Sequence, residues 1–516
     1  MRLLLAIVVG VTCNAAFGQV RPRTFRRASI GLDSLSGSTE PSSNSAYPII
    51  SANGIVYLGT DKGLDVTTDG GRTFRSQWGS DGPIGASVSA IAVEGDTIAV
   101  AVGAGEIVQD GVPIDIGGGL YASVNAGATW TYEPQSRDST NDTAVVFGKN
   151  VLRALPVTTD VANISYSLAF HKGYLYAADW AGGLRRTSDL GKAWQRMVLP
   201  PDYLDYITED STYSFQLSPV AGNLTTETNY SQSGFSLYSD GDSVLYLGTA
   251  GGIEKTTDNG YSWHKFSHQS DHGLSGDWVV WITGQNYGTA HRIWATTLNA
   301  NDATEVRALS YSTDCGASWH YILPGHSFHS VATIGETVYG ASDDGLLVTS
   351  DFGLTSQVIT NISDPKSGYS ILSQSFAAVA STGDSIWVGT ADGTAVGIDN
   401  GSGFGPQYWH VFRTSVSLPN ASSTYFFPNP FSPRLDVGRI DYSVKSPGSI
   451  VTIRVYDFSM HVVKTILQNA TRGQGEVRER WDGLDNQGQM VDNGVYFYSV
   501  VVNNGDPVWG KIMVVR

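Results

Sequence analysis

The sequence predicts an all-β protein, a seven-bladed β-propeller followed by an immunoglobulin-like β-sandwich. Three observations indicate this. Glycine makes up 59 of the 516 residues, which favours many turns between short strands. A turn motif containing Asp and Gly recurs along most of the chain, and runs of alternating apolar residues precede its copies. The segment 425–516 lacks that motif but keeps the alternation.

The amino-terminal end has the features of a secretory signal peptide. Residues 1–18 carry one Arg, a short apolar run and a small-x-small sequence at the expected cleavage site. The run is too short to span a bilayer, so we expect no transmembrane segment in the mature chain. Residues 19–45 then form an N-terminal arm. Cleavage removes Cys13 and leaves Cys315 alone, so no intrachain disulfide is expected.

The repeated motif has the form Ser/Thr-x-Asp-x-Gly-x-Ser/Thr-aromatic. Five copies match it closely, and two worn (degenerate) copies, at 349–356 and 397–404, each lack at least one of its residues. Its acidic or amide side chain can accept hydrogen bonds from backbone amides a few residues on. Its Gly permits a positive φ, and its aromatic residue can be buried between sheets. We predict that these residues are structural. The repeated Asp or Asn residues are Asp69, Asn125, Asp189, Asp258, Asp314, Asp351 and Asp399.

Each repeat is predicted to contain strand A, a tight turn, strand B, a loop, strand C, the Asp turn and strand D. Seven such units fill 46–413. In a propeller the B–C and D–A connections emerge on one face, and the long segments belong to them: 103–119 and 298–305 between B and C, and 131–163 and 197–234 between D and A. Long loops on a rigid scaffold often bind ligands, so this face is the candidate binding surface.

Candidate ligand contacts on that face are acidic or aromatic. Four Asp residues follow strand B, where they can approach the central channel, and aromatic side chains in the long loops suit stacking with carbohydrate or peptide. Packing of the loops and of the repeat turns explains the same residues equally well. The candidates are Asp61, Asp179, Trp180, Tyr203, Tyr206, Asp343 and Asp392.

We predict no catalytic residue, metal site or cofactor. His264, His268 and His272, with Asp271, have a spacing that would align them on a helix, but the segment begins as strand D, which spreads them apart. Cys315 lies in a turn with no activating group nearby in the sequence. The charge balance, 32 basic against 48 acidic residues, disfavours nucleic acid and anionic membranes as partners.

The repeated motif resembles that of the Asp-box (BNR) propellers, which include bacterial sialidases, sortilin-type receptors, xyloglucanase-like glycosidases and the photosystem II assembly factor group. The resemblance covers 46–413 and implies the propeller fold. Sialidases also carry an Arg-Ile-Pro motif near the start, which is absent from this chain, so the resemblance does not extend to sialidase activity.

The carboxyl-terminal part begins after a polar linker, 414–424. Residues 425–516 contain alternating strands with Asp-Gly and Asn-Gly turns, as in an immunoglobulin-like sandwich. The sequences PNPF at 428–431, IRVYDFSMHVVKTI at 453–466 and WDG at 481–483 resemble the FlgD-type Ig-like domain. At the end of a chain, such a domain is similar to type IX secretion sorting domains. A plain spacer or adhesive module is the alternative interpretation.

Taken together, these features favour a secreted or cell-surface, non-catalytic propeller that binds a glycan or a protein and is exported by the type IX secretion machinery. One alternative is a secreted glycoside hydrolase of sialidase-like or xyloglucanase-like fold, which needs two carboxylates about 5–10 Å apart. Another is an envelope assembly factor. Fold alone does not choose between them.

Overall fold

The computed structural model describes residues 38–76, 82–83, 86–109, 112–217, 229–241, 243–270, 273–300, 302–371, 373–399, 401–413, 424–427, 429–434, 438–446, 448–473 and 475–515. The predicted signal peptide, most of the predicted arm and nearly all of the predicted linker lie outside these residues. The described chain is all-β, as predicted, apart from one 3-10 turn at Tyr230–Gln232. It divides into two compact units, with the boundary between residues 414 and 415.

Within the described residues, the first unit contains seven antiparallel sheets that each have four consecutive strands as their body; one of them gains a fifth strand at its outer edge, and two short two-stranded sheets lie between blades in the sequence. We number them as blades 1 to 7 and letter their strands A to D. The strands of blade 1 are Ala46–Ala52, Ile55–Thr60, Gly63–Thr67 and Arg75–Ser76. Those of blade 2 are Ser87–Glu94, Thr97–Gln109, Val112–Ser123 and Thr131–Glu133. The strands of blade 3 are Ser165–His171, Tyr174–Asp179, Gly183–Thr187 and Gln195–Arg196. Those of blade 4 are Gly234–Asp240, Val244–Thr249, Gly252–Thr256 and Ser262–Phe266. The strands of blade 5 are Trp278–Tyr287, Ala290–Leu298, Ala308–Ser312 and His320–Ile322. Those of blade 6 are Phe328–Ile334, Thr337–Ser342, Gly345–Thr349 and Gln357–Ile359. Those of blade 7 are Ala378–Thr382, Ser385–Gly389, Thr394–Ile398 and Trp409–Phe412.

The A strands are the innermost strands of the unit. Each contacts the A strand of the next blade, and the A strand of blade 7 contacts that of blade 1. The sheets therefore close into a ring around a central channel, which is the arrangement of a β-propeller.

Aromatic residues of strand B and of the C–D turn pack between neighbouring blades. Trp319, in the C–D turn of blade 5, shares an apolar cluster with Tyr246 of strand B in blade 4. The C–D turn of blade 6 carries Ser356 where other copies have an aromatic residue. Phe352 of that same turn instead stacks on Trp294 of blade 5, with 6.3 Å between ring centroids. The worn copy therefore keeps the contact between blades through a different residue.

The seam between blades 7 and 1 uses the same kind of contact. Phe74 of blade 1 packs edge-on against Trp387 of strand B in blade 7 and against Phe412, with centroid separations of 6.3 and 4.9 Å. Ser45, just before the first A strand, forms a parallel bridge with Thr390 of blade 7. Among the described residues no strand is exchanged between the two blades. The ring is thus closed by side-chain packing and by the segment that leads into blade 1.

Six of the seven C–D turns share one hydrogen-bond pattern. In blade 1, Asp69 accepts hydrogen bonds from the Thr67 hydroxyl at 3.0 Å and from the Thr73 amide and hydroxyl at 2.9 and 2.7 Å, while Thr67 accepts one from the Gly71 amide at 2.9 Å. The Thr73 bonds lower the pKa of Asp69 to about 2. Three of these bonds, from the first hydroxyl, from the Gly amide and from the amide four residues after the Asp or Asn, recur in the turns of Asn125, Asp189, Asp258, Asp314 and Asp351. The bond from the second hydroxyl does not form at Asp189, where Ala193 replaces that residue, and is reversed at Asn125, whose side-chain amide donates to Thr129.

The seventh turn is different. Asp399 accepts a hydrogen bond from the Gly401 amide at 2.8 Å and another from the hydroxyl of Tyr339, in strand B of blade 6, at 2.7 Å. Because Gly397 replaces the first hydroxyl residue of the motif, the local network of the other turns is not formed. Asp399 links two blades instead of closing one hairpin.

Three of the four predicted long loops contain strands. The segment 103–119 was expected to be a loop, but strands B and C of blade 2 continue through it as one long hairpin, with register shifts near Gly103. The alternation of residues 112–116 permits pairing there, and glycine permits the irregular register. The D–A segment before blade 3 contains the hairpin Ala144–Phe147 and Asn150–Arg153, and Tyr206–Thr208 adds a fifth strand to the outer edge of blade 4. A further hairpin, Ile362–Asp364 with Tyr369–Ile371, precedes blade 7.

The second unit is a β-sandwich, as predicted. One sheet contains Thr424–Phe427, Gly438–Val444 and Gly475–Trp481, and the other contains Val462–Arg472, Ser449–Tyr456, Gly494–Val502 and Val508–Val514, in that spatial order. Their facing side chains form one apolar core that includes Phe431, Trp481 and Tyr498.

Asparagine side chains cover both edges of the four-stranded sheet. At one edge, Asn429 accepts a hydrogen bond from the Met513 amide at 2.8 Å and donates one to the Lys511 carbonyl at 2.8 Å. At the other, Asn486 accepts one from the Thr465 amide at 3.1 Å. An amide side chain can imitate the backbone of a neighbouring strand in this way, which protects a sheet edge from pairing with other chains.

Candidate functional site

The longest connections of the propeller all emerge on one face. The A–B turns have two or three residues each. The insertions 134–164, 197–233, 299–307 and 360–377 all join D to A or B to C. We call the face formed by the B–C and D–A connections the loop face, and the face formed by the A–B and C–D turns the turn face. A binding site built from variable segments would therefore lie on the loop face.

A second repeated motif, which the sequence analysis missed, shapes the B–C turns of the loop face. In blade 1 the Thr60 hydroxyl donates to the Gly63 carbonyl at 2.8 Å and accepts a hydrogen bond from the Lys62 amide at 3.1 Å. The same two bonds are made by Thr249, Ser342 and Thr390. The signal that would have revealed it is the recurring Gly-Thr or Ala-Ser dipeptide with a glycine three residues after the hydroxyl residue.

The four candidate Asp residues of the B–C turns do not occupy equivalent positions. Asp61 and Asp343 come one residue after the hydroxyl residue of this motif, and Asp392 comes two residues after it. Asp179 pairs with Gly183 across the turn and so stands where the other blades have the hydroxyl residue. A ring of matched carboxylates around the channel is therefore not formed.

Asp179 is buried in a cluster of four charged side chains. Its carboxylate accepts a hydrogen bond from the Ser165 hydroxyl at 2.5 Å and lies 3.9 Å from the Arg185 guanidinium. Arg185 also pairs with Asp138, at 2.7 Å, which lies in the insertion before blade 3, and Arg196 lies 3.6 Å from Asp138. Burial raises the pKa of Asp179 to about 6. The cluster attaches the insertion to blade 3.

Of the other three candidate carboxylates, two are held by side chains of the protein itself and one is partly buried. Asp343 accepts hydrogen bonds from His329 at 2.9 Å and Ser375 at 3.1 Å. Asp392 forms an ion pair with Arg413. One carboxylate oxygen of Asp61 is buried and lacks a hydrogen-bond partner among the described residues. None of these contacts brings two candidate carboxylates together.

The raised pKa values predict how stability depends on pH. Burial raises the pKa of Asp179 and of Asp277 to about 6. Such a group binds more protons in the folded than in the unfolded state between its ordinary pKa and about 6, so stability falls as the pH rises through that window. We expect the propeller to lose about 1 kcal/mol of stability per group between pH 5 and pH 8.

Calorimetry of the full chain at pH 5, 6.5 and 8 measures this change, and Asp179→Asn should reduce it. The turn aspartates such as Asp69 act in the opposite direction, but only near pH 2 to 4, because their pKa is lowered. If the thermal midpoint rises from pH 5 to pH 8, or if it changes identically in Asp179→Asn, the raised pKa of Asp179 does not cause the pH dependence.

Trp180 belongs to an aromatic cluster at the start of the A strands of blades 3 to 5. Its ring stacks on Trp278 at 6.0 Å and lies 5.3 Å from Phe235, and Tyr166 lies 5.7 Å from Phe235. Tyr166 and Phe235 stand at β-bulges of their strands. Bulges redirect side chains, and here they carry two rings towards the rim of the channel on the loop face. Trp180 is half-buried, so part of its surface faces solvent.

Tyr203 and Tyr206 lie away from that cluster. Tyr206 begins the extra outer strand of blade 4 and pairs with His264 of strand D, with 4.4 Å between the rings. Tyr203 lies in the same insertion and is 62 % exposed. The predicted aromatic ligand contacts are thus divided between the channel rim, with Trp180, and the outer edge of blade 4.

The residues considered for a metal are separated. His264 lies on strand D next to Tyr206, whereas His268 bonds to the Leu274 carbonyl and the Thr304 hydroxyl, each at 2.9 Å. His272 and Asp271 lie outside the described residues. Within the described ranges, no three His, Cys, Asp or Glu side chains form a group able to hold a metal ion. Cys315 is exposed in the C–D turn of blade 5.

The central channel contains a cavity of about 280 Å³, lined by residues of all seven A strands. Its described lining has no Asp, Glu, Lys, Arg or His. Since each A strand is a sheet edge, its free backbone groups face the channel, and serine hydroxyls of neighbouring A strands bond some of them. For example, Ser167 accepts a hydrogen bond from the Leu237 amide at 3.0 Å, and Ser330 from the Val379 amide at 2.8 Å.

Comparison with known proteins identifies the second unit. Residues 435–506 match the FlgD Ig-like domain family. The chain is a β-propeller followed by a FlgD Ig-like domain. No curated protein matches the sequence as a relative. The match includes Asn486, which covers one edge of the four-stranded sheet, and begins after Asn429, which covers the other.

Solved structures are similar to the chain at low identity. YCF48 from Cyanidioschyzon merolae is 13% identical over 70% of this chain and 96% of its own, with a TM-score of 0.41. The GH74 xyloglucanase from Xanthomonas campestris is 13% identical over 94% and 80%, with 0.46. PorZ, a type IX secretion surface component of Porphyromonas gingivalis, is 13% identical over 92% and 66%, with 0.30. No conclusion about function follows from likenesses of this size.

Proposed function

We propose that the protein is secreted or displayed at the cell surface, where the loop face of its propeller binds a glycan or a protein without catalysis. The observation that carries this proposal is that the longest insertions all lie on the loop face, whereas the A–B turns of the turn face have only two or three residues. Long loops on a rigid scaffold often bind ligands. The half-buried Trp180 supplies aromatic surface near the channel on the loop face, whereas the exposed Tyr203 and Tyr206 supply aromatic surface in the insertion at the outer edge of blade 4.

A glycoside hydrolase would need two carboxylates facing the substrate at a suitable separation. Asp179, Asp343 and Asp392 are instead held by a hydroxyl, by a histidine with a hydroxyl, and by an arginine. These contacts support structural roles for the three residues. The geometry therefore favours binding over hydrolysis.

The binding proposal is tested with the full mature chain on a glycan array and in a cell-surface pull-down. Trp180→Ala should weaken binding of the ligand found by about ten-fold, because aromatic anchors dominate binding energy. Tyr408→Ala is the control, since Tyr408 is 82 % exposed in the C–D turn of blade 7, on the turn face. Equal loss in both variants, or no ligand in either assay, would contradict the proposal.

We also propose that the FlgD Ig-like domain is the sorting domain that the type IX secretion machinery recognises. The signal-peptide pattern of residues 1–18 and the position of the domain after the propeller support this. No helix among the described residues is long and apolar enough to cross a membrane. Deleting residues 424–516 in a host that has this machinery should retain the propeller in the periplasm. Unchanged appearance of the truncated chain at the surface or in the medium would contradict this role.

A further inference from the structure

The worn copies of the motif, in the C–D turns of blades 6 and 7, expose an apolar patch on the turn face. Four side chains form it: Phe352, Leu354, Ile398 and Phe404. Their exposed fractions are 40 %, 87 %, 61 % and 64 %, in that order. The two turns lie against each other, because a Cβ atom on Gly403 would lie 2.5 Å from the hydroxyl oxygen of Ser350.

The size of the apolar patch indicates a contact surface. The aromatic residue that ends the motif is buried in blades 4 and 5, as Trp263 and Trp319, whereas Phe404 at the same position is mostly exposed. With about 200 Å² for each fully exposed side chain, the patch exposes roughly 500 Å². Exposed apolar patches of about 300–600 Å² on a monomer often have a function.

The turns around the apolar patch are acidic. The A–B and C–D turns of blades 6 and 7 contain no Lys or Arg and four acidic residues: Glu336, Asp351, Asp384 and Asp399. A second copy of the chain would bring these turns face to face at a net charge of -16 for each chain, which electrostatic repulsion opposes. The guanidinium group of Arg292, in blade 5, lies over the Phe352 ring at 4.7 Å from its centre, so one ring of the patch already binds a cation. The surface therefore suits an occupant that is both apolar and basic.

The chain that precedes the propeller enters beside this surface. Ser38, the first described residue, exchanges backbone hydrogen bonds of 2.8 and 2.6 Å with Phe74 in the C–D turn of blade 1. Phe74 packs against Trp387 of blade 7. Phe25 precedes Ser38 by thirteen residues. Such a length reaches up to about 43 Å when extended, whereas packed sheets lie about 10 Å apart, so residues before Ser38 can cross two blades.

Residues 19–37 of the N-terminal arm have the composition that the surface suits. They read QVRPRTFRRASIGLDSLSG, with four Arg and one Asp, which gives a net charge of +3. Large apolar residues are spread among the charged ones: Val20, Phe25, Ile30, Leu32 and Leu35. The segment is thus apolar like the patch and opposite in charge to the turns around it.

From these observations we infer that residues 19–37 form a strap that crosses the turn face and covers the apolar patch. Phe25 and its apolar neighbours contact the patch, and the arginines pair with the acidic turns. The strap connects blade 1 to blades 6 and 7 across the seam, where no strand is exchanged among the described residues. Because it uses the turn face, the inference is independent of ligand binding by the loop face.

Limited digestion of the full mature chain with trypsin tests the strap. Trypsin cuts after Arg23, Arg26 and Arg27 where the chain is accessible, and intact mass reports each cut. We expect Leu354→Ser and Phe404→Ser each to speed cleavage at these sites about ten-fold, because each variant removes one large apolar contact.

Two further variants make this result specific. Tyr261→Ser is the matched control, since Tyr261 holds in blade 4 the motif position that Leu354 holds in blade 6 and is 54 % exposed. It should leave cleavage unchanged. Phe25→Ala changes the strap itself, keeps the three cleavage sites and should speed cleavage as the patch variants do. Thermal midpoints check that each variant is folded.

The outcomes distinguish the strap from other occupants of the patch. Equal cleavage in the parent, both patch variants and Tyr261→Ser shows that residues 19–37 do not cover the patch, so the inference is wrong. If light scattering finds the parent dimeric and the patch variants monomeric, a second copy covers the patch, which also overturns the inference. Faster cleavage in Phe25→Ala and in both patch variants, but not in Tyr261→Ser, supports it. Binding of a glycan or protein through Trp180 is measured separately, so the proposed function stands or fails on its own test.

Discussion

Replacing Arg185 with alanine is expected to destabilise the propeller by about 3–5 kcal/mol. The Arg185 side chain is 3% exposed and lies between Asp138 and Asp179, at 2.7 and 3.9 Å. Its removal leaves two buried carboxylates with less positive charge beside them, and this desolvation cost is what makes the loss large. Because Asp138 belongs to the insertion before blade 3, the variant should also expose residues 134–164 to limited proteolysis.

Arg186→Ala is the matched control, since Arg186 is the next residue of the same strand and points to the other side. It bonds to Gln195 and to the Asn259 carbonyl at 2.9 and 2.7 Å and is partly exposed. We expect it to cost about 1 kcal/mol. Denaturant unfolding of the two variants provides the comparison. Equal losses, or protection of the insertion in Arg185→Ala, would show that the buried cluster does not hold it.

Replacing Trp387 with alanine should open the seam of the ring at a cost of about 3–5 kcal/mol. The Trp387 side chain is fully buried. It stacks on Phe412 at 5.8 Å and meets Phe74 of blade 1. A Cβ atom on Gly71 of blade 1 would lie within 3 Å of the Trp387 ring, so the two blades already touch with no space to spare. Truncation leaves a cavity that the rigid turns of both blades cannot fill.

Tyr408→Ala serves again as the control, because Tyr408 is an exposed aromatic residue of the same blade and should cost less than about 0.5 kcal/mol. Thermal unfolding measures the stability, and hydrogen exchange of the A strand of blade 1 reports on the seam. If that strand in Trp387→Ala exchanges no faster than in Tyr408→Ala, another contact closes the ring.

The repeated architecture was predictable because its determinants are local. In six C–D turns, the hydroxyl residue, the Asp or Asn, the Gly and the residue four after the Asp lie within eight positions, and they bond to one another. The worn copies show the limit of this approach. Phe352 replaces a missing aromatic residue by stacking on another blade, and Asp399 bonds to Tyr339 rather than within its own turn.

The candidate site was less predictable. Being close to strand B was the reason for choosing Asp61, Asp179, Asp343 and Asp392, yet the register of the turns gives them three different positions. Tyr206 was grouped with Trp180 because both lie in the connections of one face, but the extra strand places Tyr206 on the outer edge of blade 4. A sequence pattern reports which connection contains a residue, not its radial distance from the channel.

The amino-acid sequence alone determined the hairpins, their turn chemistry and the alternation of the second domain, since each depends on hydrogen bonds and side-chain periodicity within a few residues. The tertiary structure alone decided how the ring closes, which carboxylate is buried beside Arg185, and that the described lining of the channel contains no charged side chain. These features join groups far apart in the chain. Glu40, for example, accepts a hydrogen bond from the amide of Arg413, 373 residues away. Such contacts form only once the blades are packed, because local preference does not specify which distant surfaces will meet.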